Sequence, residues 1–383
     1  MENMDLSKKY KLTDETMEYE GHILHRIKAL KNISMAISEG QLGGWVESLD
    51  NLSQYGQCWV GEEAKVFGNA RVSGDAQVRD YAVAKDSSTI EGHAVICQSA
   101  TVGNEAKVKD NAFIMEEVKI KDKALVQDTV RMEGRAVAKE KCILSGNAKI
   151  MMEATIAGHA RVSEEATVSG FAIIDRRALV AGKTYITGMA YVTDTAIVMG
   201  KAQVSGKTLI HDNALIAGKS QVEDHARVGG CAQLLDSSKI SGNAWACQNV
   251  ILKDYAEMTD DSMAFGRALL EGHSQLKNTA HASEMAHLKD YAVAADYTEI
   301  YGGAELAGNA KALSNARIGG NVVVKDNATV GRNVSLTGIE IIQGDEVVTY
   351  RTSEKEKSRP AVKINLTPKR QMDKENTRGE RTR

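Results

Sequence analysis

The chain has 383 residues, a formal charge of −3, 43% hydrophobic residues and only 5% aromatic ones. So small a net charge excludes a general polyanion binder. The scarcity of aromatics calls for a core of small and β-branched side chains. The five cysteines (Cys58, Cys97, Cys142, Cys231, Cys247) form no CxxC pair and have no metal-ligand spacing. No metal centre is therefore expected. The odd cysteine count and the lack of a secretory leader point to reduced thiols and the cytoplasm. No apolar run approaches the roughly 20 residues of a membrane span.

Residues 1–55 read as an N-terminal cap. The stretch KKYKLTDETMEYEGHILHRIKAL alternates and breaks at Glu20-Gly21, predicting a hairpin with strands over 10–19 and 22–30. His22 and His25 read as strand residues, not ligands. Leu42, Trp45 and Leu49 are the predicted plug of whatever apolar core the cap covers.

Residues 56–337 carry one unbroken pattern. Every sixth residue from Val60 to Leu336 is aliphatic, Met or Ala, and the phase never slips. Two residues before each sits a small residue, usually Ala, and Cys58 and Cys142 occupy this slot. Residues two apart point the same way on a strand, and a period of six does not match a helical stripe. Turn-forming pairs follow each apolar position, as in Gly68-Asn69, Gly74-Asp75 and Gly242-Asn243. Each hexad is thus a short strand plus a corner. A repeat array of this kind is one elongated unit whatever its length.

Residues 338–351 (GIEIIQGDEVVTYR) read as a hairpin around Gly344-Asp345 that covers the far end. Residues 352–383 hold both prolines of the chain. They carry ten basic and five acidic residues, a net +5 that leaves −8 for residues 1–351. This segment reads as a disordered basic tail, the one part suited to touching nucleic acid or an acidic partner.

The hexad A-x-V-x-G-N resembles that of the left-handed parallel β-helix superfamily. The resemblance implies an all-β, single-stranded left-handed β-helix with three hexads per triangular coil. About 15–16 coils then make a rod roughly 70–80 Å long. Over residues 8–60 the cap is similar to that of hexapeptide-repeat proteins of bacteria and their phages. Those proteins are often labelled transferases or acyltransferases, largely on the repeat itself.

An 18-residue coil sorts the outward residues onto three faces. The face of Val60 and Val78 is largely polar. The face of Val72 and Ile90 carries Leu125, Ile143, Leu179, Ile197, Leu215, Ile251 and Leu269, broken by Arg161 and Gln233. The third face is mixed. A monomer rarely exposes such a stripe, so the seven residues predict a homo-oligomer interface. A trimer using two faces of each prism is favoured, with a two-fold dimer as the alternative.

Hexapeptide acyltransferases use an interface His as general base toward acyl-CoA, often near a loop that interrupts the coils. Here no loop interrupts the hexads. His281 and His287, in consecutive hexads on the third face and the Leu/Ile face, are the candidates for that role, and His211 follows Ile210 on the same third face. His93, His159, His225 and His273 sit at corners and read as solvated. Corner Asp residues raise the question of calcium, but calcium β-rolls repeat every nine residues, not six. The reading is a non-catalytic scaffold or interaction rod that needs no cofactor; the alternative is a trimeric acyl-CoA-dependent acyltransferase.

Overall fold

The computed structural model describes residues 8–349. Each hexad forms a two-residue strand, such as Lys149–Ile150, Thr155–Ile156 and Arg161–Val162. Its parallel neighbour lies three hexads on: Lys149 pairs with Thr167 and Ile150 with Val168. The chain is therefore a parallel β-solenoid with 18-residue coils and three walls. Among the described residues the walls contain 17, 16 and 19 strands, the last including the N-terminal cap. Each rung bonds to the next along the axis, as in Val95 N–H to Ala112 O at 2.9 Å and Ile143 N–H to Ala160 O at 2.9 Å. Within a strand the second residue points inward and the first outward. Inward residues such as Ile150, Val162 and Leu252, and the small residues two positions before them (Ala148, Ala160 and Val250), are fully buried in one continuous core. Among the described residues, no helix is long and apolar enough to cross a membrane.

The corners explain the many Asp residues. The residue two places after each inward position adopts positive φ: Gly68 (66°), Asp80 (59°), Asp254 (59°) and Asp290 (58°) among many others. Asp tolerates this region better than most residues. Its carboxylate also accepts the corner N–H of the next coil. Asp254 Oδ2 accepts from Gly272 N at 3.0 Å, and Asp236 Oδ2 from Asp254 N at 3.2 Å. Asp254→Ala should lower unfolding free energy by about 1–2 kcal/mol through loss of this bond, with Asp254→Asn costing less; denaturant titration checks both.

At the N-terminus, β1 (Tyr10–Tyr19) and β2 (His22–Ala29) form the expected antiparallel hairpin. It turns at Glu20 and Gly21, whose φ of 82° suits glycine. β2 then pairs antiparallel with β3 (Leu42–Val46), and β3 pairs parallel with Lys65–Val66. The solenoid thus begins inside the segment read as cap. Val46 faces Val66 and Leu52 faces Val72, offsets of 20 residues where later coils use 18. Two extra residues in the loop 53–57 make the first coil longer and hide its phase.

The plug also differs from the expectation. Leu42 and Leu49 are exposed, and Trp45 packs outside the prism against Leu24, Phe67 and Val83. Trp45 precedes inward-facing Val46, so strand alternation turns it outward. The end of the core is instead closed by Tyr10, Ile27, Ile37 and Leu52. The Tyr10 hydroxyl donates to Leu52 O at 2.7 Å.

Among the described residues, the C-terminal hairpin expected over 338–351 is not formed. Ile341–Ile342 and Val347–Val348 continue the solenoid, parallel to Val323–Val324 and Thr329–Val330. Ile342 and Val348 keep the six-residue phase from Leu336. Gly344 (φ 67°) fills the corner slot, and its N–H reaches Asp326 Oδ2 at 2.9 Å. Gly-Asp is a corner here, not a hairpin turn. The tail 352–383 lies outside the described residues.

Candidate functional site

Strand alternation sends one side chain per hexad to the surface, and the parallel register stacks these into columns. Leu125 lies beside Ile143, Leu179 beside Ile197, Ile197 beside Leu215, and Ile251 beside Leu269. Arg161 and Gln233 break the column where expected. All seven apolar residues are half-buried, because each is covered above and below by its rung neighbours. The third wall adds Ile173, 41% exposed, and Trp245, 39% exposed, with Tyr191, Leu209 and Met263 half-buried between them and beyond.

The structure does not bring His281 and His287 together; they sit on different walls, separated by a corner. His281 stands between Met263 and Glu299 in its column and meets the Phe265 ring edge-on at 6.4 Å. His287 follows Leu269 directly and sits in a charged ladder. Its Nε2 is 2.8 Å from Glu271 Oε1 and its Nδ1 3.6 Å from Glu305 Oε2. Lys253 lies 2.6 Å from the other Glu271 oxygen, and Lys289 lies 2.8 Å from Glu305 Oε1. The Lys253 hydrogen bond holds the Glu271 carboxyl below its usual range; burial opposes this, and the His287 contact adds to the lowering. The same pairings raise Lys253 and Lys289. A general base needs one ring nitrogen free to meet its substrate. His287 has a carboxylate at each nitrogen, so the ladder fits a charge-balancing role that ends the apolar column.

Sequence reading missed both Glu partners. Glu305 is one coil after His287, and Glu271 is 16 residues before it, the diagonal neighbour. It also took His273 for a solvated corner residue. That ring is stacked between Tyr255 at 4.7 Å and Tyr291 at 4.9 Å, each within 4° of parallel. The 18-residue spacing of the three rings was the available signal.

Asp194, His211 and Asp212 gather their ligand atoms within 4.8 Å of one another. These atoms already serve the corner network. Asp194 contacts Arg176 at 2.6 Å and accepts from Asp212 N at 3.2 Å. Asp212 Oδ2 accepts from Gly230 N at 2.9 Å and lies 2.9 Å from His211 Nδ1.

By fold and surface, the chain belongs to the class of parallel β-solenoid proteins with an antiparallel N-terminal cap. No protein-family model matches it, and comparison with curated proteins gives no match.

Proposed function

We propose that the chain is a non-catalytic scaffold or interaction rod of the hexapeptide-repeat type, and that it self-associates through its Leu/Ile wall. The observation that carries this reading is the in-register column from Leu125 to Leu269. Each side chain is already half covered, so completing burial of all seven releases roughly 5–10 kcal/mol, about half the value for fully exposed Leu or Ile. That lies at the low end of the cost of association. A second wall must therefore contribute, and the adjoining one offers Ile173, Tyr191, Leu209 and Trp245. A three-fold assembly uses two walls of each prism and leaves the polar wall outside, which favours a trimer over a two-fold dimer. Five free thiols, three of them buried, accord with the cytoplasm.

Static light scattering at micromolar concentration tests the reading. The wild type should have three times the chain mass. Leu215→Glu, which places a charge one rung from the centre of the column, should shift it to monomer with the circular dichroism spectrum unchanged. A wild-type monomer would overturn the self-associating rod. Coenzyme A binding that is lost in His281→Ala or His287→Ala would replace it with the acyltransferase reading.

A further inference from the structure

A buried amine and a buried thiol meet at the N-terminal end of the rod. Lys9, at the entry to β1, is 1% exposed, and Cys58 is fully buried. Cys58 occupies the inward small-residue slot of the first coil, two residues before Val60. Lys9 Nζ lies 3.1 Å from Cys58 Sγ and donates to Cys58 O at 2.8 Å. Tyr55 O and Gly56 O, each at 3.4 Å, complete its surroundings. Ordinary solenoid packing does not require this. The slot is filled by Ala in most hexads, and a lysine brought this deep loses its hydration. Burial holds the Lys9 amine below its ordinary range and pushes the Cys58 thiol above its own. Both shifts favour the neutral amine beside the neutral thiol.

Two of the three carbonyls around Lys9, Tyr55 O and Gly56 O, belong to the loop 53–57, which contains the two extra residues of the first coil. Its Tyr55 is 85% exposed. A small oxidant that passes this loop reaches the sulfur with the amine already in place.

We propose that Lys9 and Cys58 form a modification site at which a peroxide joins the Lys9 nitrogen to the Cys58 sulfur as a sulfenamide. A cysteine sulfenic acid condenses with a nearby nitrogen in this way. Lys9 first takes the thiol proton. The thiolate attacks hydrogen peroxide, forming the S–O bond and breaking O–O, and the departing hydroxide leaves as water with the proton returned by Lys9. The free amine lone pair then attacks sulfur. The S–N bond forms, S–O breaks, and the second hydroxide leaves as water with a proton from nitrogen. Sulfur is oxidised and peroxide reduced; thiol, amine and peroxide yield the sulfenamide and two waters. The bond closes the loop between residues 49 apart in sequence and fastens the cap to the first coil. Closing a loop of this length stabilises the folded chain. Thiols cleave the S–N bond, so the joint is reversible.

Native full-length protein is treated with hydrogen peroxide, its remaining thiols are alkylated, and peptides are analysed by mass spectrometry. The expected product is the Lys9 peptide joined to the Cys58 peptide, lighter than the two together by two hydrogen atoms. Dithiothreitol should separate them, and the joined protein should melt at a higher temperature than the reduced one. Lys9→Arg, which keeps donors for the carbonyls, should abolish the product. Cys142, deep in the rod with its thiol pushed up to about 12 by burial, should stay unmodified. The proposal is overturned if Cys58 is recovered as a free thiol, or as a sulfinic acid unlinked to Lys9, when exposed Cys231 is fully oxidised. The readout on the wild type stands even if the variant folds poorly.

Discussion

Ala244→Asp is expected to unfold the middle of the rod while its ends stay folded. Ala244 is fully buried, two residues before inward-facing Ala246 and one coil from Ala226 and Ser262. An Asp there sends an unpaired carboxylate into an interior lined by Ile240, Leu252 and their neighbours. Leaving a buried charge uncompensated costs about 3–5 kcal/mol. In a globular domain that loss spreads over the whole structure. In a solenoid each coil touches only the coils beside it, so the penalty stays local and cuts the coupling between the two halves. Calorimetry should show the single transition splitting in two. Hydrogen exchange should show protection lost first around residues 226–262. One transition at the wild-type midpoint would contradict this account.

Ala244→Ser is the control, at about 1 kcal/mol or less, because a hydroxyl can bond locally. The chain already uses that substitution in the same slot: Ser220, Ser238, Ser262 and Thr298 are all buried there. Ser220 Oγ donates to Ala217 O at 2.6 Å and Thr298 Oγ1 to Ala295 O at 2.6 Å, three residues back in each case. The slot admits a hydroxyl whether it reaches the preceding corner, as in Ser220 and Thr298, or makes no hydrogen bond, as in Ser262. It does not admit a full charge.

The rod was legible in the sequence because its physics is periodic. Inward residues recur every six, corners impose positive φ on one slot, and any polar residue in the inward phase would have shown itself. The two ends were harder because they break or disguise that period. At the C-terminus, Gly344-Asp345 fits a hairpin turn and a solenoid corner equally well by composition. The phase of Ile342 and Val348 decides between them. At the N-terminus two extra residues between Leu52 and Val60 shift the phase of the first coil, and Val46 therefore looked unrelated to Val66. The surface was partly legible. The Leu/Ile column follows from 18-residue spacing, but the shielding of each side chain by its neighbours does not. The pairing of His287 with Glu271 crosses between columns, and no local pattern announces that Lys9 reaches Cys58. Contacts that depend on side-chain reach, not backbone register, are the ones sequence reading loses.

The joint between cap and rod is where a single methyl group or two should matter most. Gly44 lies in β3, which pairs with β2 on one side and with Lys65–Val66 on the other. A Cβ on Gly44 would stand 2.6 Å from Ala64 O, 2.9 Å from Val60 Cγ1 and 3.0 Å from Gly61 O. Its dihedrals are ordinary for a strand, so the requirement for glycine is one of space. The backbone oxygens belong to the first coils and cannot retreat without breaking rungs. Gly44→Val should therefore cost about 3 kcal/mol through overpacking, and the strain is relieved if β3 leaves the wall. The cap would go with it, uncovering Leu52 and Val60 and breaking the hydrogen bonds of Glu63 with Arg26 at 2.9 Å and with Trp45 Nε1 at 3.0 Å. Limited proteolysis should cut the variant within residues 30–60 and leave a resistant fragment carrying the remaining coils. Tryptophan emission should shift red through Trp45 and Trp59, with Trp245, far along the rod, unaffected. Gly21→Ala, at φ 82° with open space around it, should cost about 1 kcal/mol through backbone strain alone and leave the cap attached. Equal protease resistance of Gly44→Val and the wild type would show that the joint has room the packing does not reveal.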